Sequence, residues 1–331
     1  MSGETALTHG AANDYSDAPK VSMAKRIKFG VTLPQFGATW PEVRDMALLA
    51  DEAGFDSVWV ADHFFGVGSD DPLEAWTEMS AVAAITRRIE IGFLVLCNSY
   101  RPPALLAKMA ATFDQIANGR LILGYGAGWF VMEYEAYGYE FPSVGTRLAQ
   151  LEEGLHVLKA MWTEDAPTFH GRHYRIEGAR CRPRPVRHPH PPILVGGGGE
   201  KVLLRLVAQY ADIWNNLGMA HAELPAKLAV LRRHCERLGR DPGEIEVSQQ
   251  TIGAIALSTD EARRRTEAVH QEVGFLTGAP DLCPTGTPDE IVRRLRQSIA
   301  MGATTFIMSF GRHAAADDVR LFGREVIPAF R

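Results

Sequence analysis

Two adjacent residues, Asp62 and His63, follow the apolar run Val58, Trp59, Val60, Ala61 and precede Phe64, Phe65 and Gly66. Histidine gains and loses a proton near neutrality, and a neighbouring carboxylate can tune or orient it. The same pair also suits a capping acid beside a satisfied ring, so the dipeptide alone leaves both readings open. A second group is Gly196, Gly197, Gly198, Gly199 and Glu200, which join an apolar run to a helical stretch. Glycine lets backbone N–H groups approach an anion, and a helix N-terminus favours one. A tight turn needing positive φ is the plainer account of the same residues. The spacing GxxxxGK[ST] is absent, which argues against a nucleoside triphosphatase. A third group is Gly124, Tyr125, Gly126, Ala127, Gly128 and Trp129, where the indole offers a flat wall for a ring or simply packs. No GxSxG, Cys–His signature or Ser-x-x-Lys in context identifies a nucleophile.

Positioning these residues requires a scaffold. Short apolar runs at 27–33, 55–61, 89–96, 120–126, 191–197, 212–216, 244–257 and 304–310 read as strands. Helical patterns at 40–54, 73–88, 102–119, 145–163, 200–211, 288–302 and 317–330 separate them, several opening on proline and closing on glycine. Apolar strands alternating with helices imply a parallel sheet covered on both faces, and eight strands close a (β/α)8 TIM barrel. An open doubly wound sheet would want GxGxxG after its first strand, and "TLPQFG" stands there instead. In a barrel, function collects at the C-terminal ends of the strands. That face would carry Gln35, then Asp62 and His63, then Cys97, Asn98 and Ser99. Gly126, Gly128 and Trp129 follow, then Gly196 to Glu200, Asn215 and Asn216. Gln249, Gln250, Ser309, Arg312 and His313 complete it.

Composition bounds the rest. The chain has 331 residues and a net charge of -5, with no basic stripe interleaved with aromatics, so no nucleic-acid partner is expected. No apolar run reaches membrane-spanning length. Residues 1–25 read as a disordered tail without a signal-peptide core, and 26–331 as one barrel domain with an insertion at about 164–191. Cys97, Cys181, Cys235 and Cys283 are scattered without metal or disulfide spacing, which fits a reducing cytoplasm. His188 and His190 lie in a proline-rich connector, and no metal site is expected.

The stretches "FGVTLPQFG", "AGFDSVWVADHFF", "RPPALLAKMAATFDQIANGRLILGYGAGWFVMEYEAYG", "RLAQLEEGLHVLKAMWTE" and "HPPILVGGGGEKVLLRLVAQYADIWN" together resemble the bacterial luciferase-like superfamily. More closely, they resemble its coenzyme F420-dependent oxidoreductases of actinobacterial type. The resemblance runs from about residue 27 to 331 and is strongest between 90 and 216. It implies a luciferase-like barrel holding a flavin-like ring in its mouth. Asp62 and His63 would border the reactive edge of the deazaflavin. Leu94 and Val95 match a third-strand bulge where the family often carries a non-proline cis peptide. Gly196 to Glu200 would meet the ribityl and phosphate region, and Gln35, Cys97, Asn98, Gly126 and Gly128 would line the cofactor. Phe64, Phe65, Trp129, Arg312 and His313 would face the substrate.

One departure stands out. The family's sugar-phosphate dehydrogenases carry glutamate at the place of Trp129 and a tryptophan shortly after the histidine. Glucose-6-phosphate oxidation is therefore not expected, and the aromatic walls suggest a larger, less charged substrate. The expected activity is hydride transfer between F420 and a small organic molecule, with His63 handling the proton and Asp62 aligning it or contacting the ring. One alternative is an FMNH2-dependent monooxygenase fed by a separate reductase. Another is a flavin-binding barrel without turnover. The resemblance also implies a homodimer.

Overall fold

A computed structural model describes residues 26–66, 71–312 and 315–331. The expected tail and His313 lie outside these residues. Eight strands run parallel: β1 (Lys28–Thr32), β2 (Ser57–Val60), β3 (Glu90–Phe93), β4 (Leu121–Gly126), β5 (Ile193–Gly196), β6 (Ile213–Asn216), β7 (Glu246–Ile252) and β8 (Thr305–Ser309). Each pairs with its neighbours in chain order, and β8 pairs with β1. The ring closes between β3 and β4, where Ile91 faces Leu121 and Gly92 faces Ile122. The eight-stranded barrel expected from the sequence is thus what forms.

The strand alternation sorts two cores. Phe29, Val31, Val58, Val60, Ile91 and Phe93 point outward and pack under the helices. Trp59, Ile122, Leu194, Ile213 and Ile307 point inward and stop the barrel axis. Trp59 fits because its neighbours are glycines. A Cβ on Gly30 would lie 2.5 Å from the indole, and one on Gly92 only 2.2 Å. The buried indole N–H is satisfied by Ser57 Oγ at 2.7 Å.

The helices are α1 (Trp40–Glu52), α2 (Ala75–Ile85), α3 (Pro103–Ile116), α4 (Val131–Ala136), α5 (Val144–Thr163), α6 (Leu203–Tyr210), α7 (Leu224–Leu238), α8 (Thr259–Val273), α9 (Pro288–Ala300) and α10 (Ala315–Glu325). Thr39 with Glu42, and Thr287 with Glu290, form capping boxes at α1 and α9. The sequence reading found neither α4, α7 nor α8. For α7 the signals were present: Pro225 in its first turn and Gly239 closing it at φ 66°. Helix α8 buries only Ala262 and Val269, too thin a stripe to register.

Two strands also end earlier than expected. The 89–96 run is interrupted at Leu94–Val95, whose peptide bond is cis, and resumes as Leu96–Cys97 against the upper half of β4. The 244–257 run leaves the barrel after Ile252, and Ala254–Ile255 pairs instead with Thr285–Gly286. Between those two segments lies α8, a second excursion besides 164–191. The first excursion carries a short hairpin, Phe169–His170 with Arg175–Ile176. It is pinned to α5 by Glu153, whose carboxylate accepts the N–H groups of Arg172, His173 and Tyr174 at 2.8, 2.8 and 2.9 Å.

Candidate active site

The floor of the barrel mouth is built around the interruption of β3. A Cβ on Gly124 would fall 1.7 Å from Phe93 O, and one on Gly126 2.6 Å from Val95 Cγ2. Both glycines are therefore required by the bulge leaning on β4. Val95 lies between Gly126 and Gly196, whose Cβ would sit 3.4 Å from Val95 Cγ1. Gly128, at φ 72°, leaves room for Tyr134 Oη and Cys97 Sγ. These positions were expected to line a cofactor; their glycines shape the floor on which a ring would rest.

Asp62 and His63 leave β2 in opposite company. Asp62 is buried and binds Arg101 through two contacts at 2.8 and 3.0 Å, and it accepts the Cys97 N–H at 2.8 Å. Burial raises its carboxyl above the ordinary value, against the pull of Arg101 and that N–H. Arg101 also reaches Glu74, the N-cap of α2. Asp62 thus ties the end of β2 to the β3 bulge and does not align His63, the first of the two roles expected of it.

The partner of His63 is Glu133, from α4. Its two carboxylate oxygens both lie 3.1 Å from His63 Nδ1. Glu133 is only 1% exposed and also accepts Tyr100 Oη–H at 2.7 Å and the Phe64 N–H at 2.5 Å. Burial pushes this carboxyl up, but the hydrogen bonds from His63, Tyr100 and Phe64 outweigh it and hold the group below the usual range. The His63 side chain keeps 19% of its surface exposed. Phe36, Trp129 and Phe130 surround its ring at centroid distances of 6.0, 5.9 and 5.8 Å. The sequence reading missed Glu133 because α4 was not recognised, and it missed Tyr100 and Arg101 because the strand-end residues were followed only to Ser99.

Several expected cofactor ligands have their side chains committed elsewhere. Gln35 exchanges two hydrogen bonds with the Ala61 main chain, both 2.7 Å, and so joins the β1 and β2 loops. Cys97 Sγ lies 3.0 Å from Tyr134 Oη, and burial pushes the thiol up to about 11. Asn98 accepts from Tyr125 Oη at 2.6 Å and donates to Tyr174 Oη at 3.1 Å. Its amide lies against Gly154 of α5, where a Cβ would come within 2.8 Å of Oδ1. The functional groups of Gln35, Cys97 and Asn98 thus hold the mouth together, and the Cys97 and Asn98 N–H groups are likewise taken, by Asp62 and Gly126 O.

The glycine loop, expected to join its strand directly to a helix, meets α6 only through the turn at 200–202, so its glycines do not open that helix. Gly197 has φ 122°, and its Trp214-bonded carbonyl fixes the turn at 2.8 Å. A residue the sequence reading passed over stands beside it: Lys227 Nζ donates to Gly198 O at 3.1 Å and lies 3.7 Å from Glu200 and 3.2 Å from Glu223. Lys227 is thus matched by two carboxylates and a carbonyl, and the Gly197 N–H is spent on Asn215 O at 3.1 Å.

On the substrate side, Phe64 is stacked with Tyr137 at 4.2 Å and lies against Tyr100 at 4.4 Å, so it packs within an aromatic cluster. Phe65 lies 5.8 Å from Phe130. Trp129 is 70% exposed and presents its face at the rim. Arg312 bridges the β1 loop and α8, with its Nη2 donating to Gly37 O at 2.9 Å and its N–H to Glu272 at 2.9 Å. Asn215 points into the barrel and accepts from Ser248 Oγ at 2.9 Å, whereas Asn216 pairs with Gln249 at 2.8 Å.

A family model described as luciferase-like monooxygenase matches residues 21–298 of the chain. The chain is 34% identical over 189 residues to the F420-dependent glucose-6-phosphate dehydrogenase of Amycolatopsis mediterranei (strain U-32), a match covering 56% of this chain and 54% of the relative. The chain thus spans about half the length of that relative. It is 26% identical over 320 residues, 87% of each protein, to the FMNH(2)-dependent dimethylsulfone monooxygenase of Pseudomonas putida. Among solved structures, an F420-dependent secondary alcohol dehydrogenase in complex with an F420-acetone adduct superposes with a TM-score of 0.79 over 92% of this chain and 99% of that one, at 21% identity. At that identity the likeness is one of fold.

Proposed function

Because the chain belongs to the luciferase-like monooxygenase family, we propose that it is an oxidoreductase moving a hydride between coenzyme F420 and a small organic substrate in the barrel mouth. The observation that carries this reading is His63, held at the mouth by a buried carboxylate and walled by Phe36, Trp129 and Phe130. The residues present fit the cofactor. Gly126 and Gly196 keep open a cradle that side chains would fill. The glycine backbone at Gly198 and Gly199 would let the polar end of the molecule approach closely. When bound, a deazaflavin supplies a carbon centre that takes or gives hydride.

The chain's own work is orientation, exclusion of water and movement of one proton. Val95 and the flanking glycines set the floor. Trp129 and Phe130 cover the approach to His63 with apolar surface. His63 takes the proton from a substrate hydroxyl as the attached carbon gives up hydride, or returns it in the reverse direction. The aromatic rim favours an uncharged, apolar substrate over a sugar phosphate.

Titration of deazaflavin fluorescence tests the cofactor directly. Quenching by the protein at micromolar concentration, with weaker FMN binding, is the expected result. The alignment with the dimethylsulfone monooxygenase covers 87% of both proteins and supports a second reading, oxygenation with reduced FMN. Oxygen consumption driven by reduced FMN, with no response to F420, would replace the first reading by the second.

A further inference from the structure

Four donors converge on the Glu133 carboxylate: the His63 imidazole, the Tyr100 hydroxyl and the Phe64 and Phe65 N–H groups. They come from the β2 and β3 loops, and the acceptor comes from the segment after β4, so one buried anion gathers all four donors. An ionised carboxylate only accepts. The imidazole nitrogen facing it, Nδ1, must therefore carry a hydrogen. A neutral His63 then has its lone pair at Nε2, and among the described residues none bonds that atom. Nε2 is the one ring position left for a substrate.

We propose that Glu133 is the positioning residue of His63: it fixes the Nδ1–H tautomer and stabilises the imidazolium formed when Nε2 accepts the substrate proton. This rests on the oxidoreductase reading of the mouth. The proton lost by the substrate hydroxyl goes to Nε2, and the hydride from its carbon goes to the bound deazaflavin, leaving a carbonyl. The imidazolium charge is then met at Nδ1 by Glu133. Tyr100 holds the carboxylate from its other side and stays a donor, because burial and Glu133 both push its hydroxyl up. The other titratable groups at this cluster are Tyr134 and Cys97, both raised by burial and so neutral. Asp62, next in the chain, is held by Arg101.

The test is Glu133→Gln, with Glu133→Asp beside it. The direct readout is nitrogen NMR of the labelled His63 ring, which distinguishes Nδ1–H from Nε2–H without turnover. The wild type should show Nδ1–H; Glu133→Gln should show Nε2–H or a mixture. In assays with F420, Glu133→Gln should lower kcat by about 10²–10⁴-fold, with KM and F420 affinity little changed. The acid limb of its pH profile should move down by on the order of one unit, because an anion that favours imidazolium has been removed. Glu133→Asp keeps the charge and should restore the limb in part. Retention of Nδ1–H with full kcat in Glu133→Gln would overturn the proposal. If Glu133→Gln fails to fold, the wild-type ring decides: a hydrogen on Nε2 instead of Nδ1 would overturn the proposal. If the wild type ignores F420 altogether, the oxidoreductase reading fails, and the tautomer measurement still judges the role of Glu133.

Discussion

Glu78 offers a quantitative check on the packing of α2. It is buried on a helix face with Trp76, Met79 and Val82, and neither carboxylate oxygen has a hydrogen-bond partner among the described residues. Burial, with help from Glu74 one turn earlier, raises its pKa from 4.5 to about 8. A folded-state pKa above the unfolded one means the native protein keeps a proton that the unfolded chain releases. The associated stability is present below the unfolded pKa and is lost as pH rises through the folded pKa. At about 1.4 kcal/mol per unit, the loss reaches about 3 kcal/mol at pH 7 and about 5 kcal/mol above pH 8. Glu78→Gln keeps the shape, cannot ionise, and leaves a polar group as unsatisfied as the protonated acid. The two proteins should therefore have similar urea midpoints at pH 4.5. The variant should become progressively more stable than wild type at pH 7 and pH 8.5. Tryptophan fluorescence during urea unfolding measures this. A wild-type-minus-variant difference that stays constant from pH 4.5 to 8.5 would refute the reasoning, because a partnered or hydrated Glu78 would then be the true state.

Arg101→Met should cost about 3–5 kcal/mol in thermal or urea unfolding, since it leaves Asp62 buried with only the Cys97 N–H as partner. Gly126→Ala should displace Val95 from the mouth floor and weaken F420 binding at least tenfold by fluorescence titration, while circular dichroism stays native; the clash is 2.6 Å. Trp129→Ala, at a residue 70% exposed, should leave the melting temperature within about 2 °C but raise KM for an apolar substrate more than it lowers F420 affinity.

The barrel was legible because eight apolar runs and their proline and glycine punctuation are local signals. The mouth was legible only in part. Gly126, Gly128 and Gly196 announced a close approach, yet the object approached is Val95, Tyr134 or Cys97 from other segments. Asp62 and His63 are adjacent in sequence, and adjacency suggested cooperation. Successive residues leaving a strand diverge, so Asp62 went inward to Arg101 and His63 met Glu133, seventy positions away. No short-range pattern encodes that meeting. The β3 bulge, by contrast, followed from the family resemblance and not from any periodicity.

The inward plug of Trp59, Ile122, Leu194, Ile213 and Ile307 makes the barrel a vessel open at one end only. On the proposed function, cofactor and substrate would share one doorway. On that same reading, a ring resting on the Val95 floor with substrate above it would enter first and leave last. That order would trace back to Trp59, which fills the barrel axis between Gly30 and Gly92.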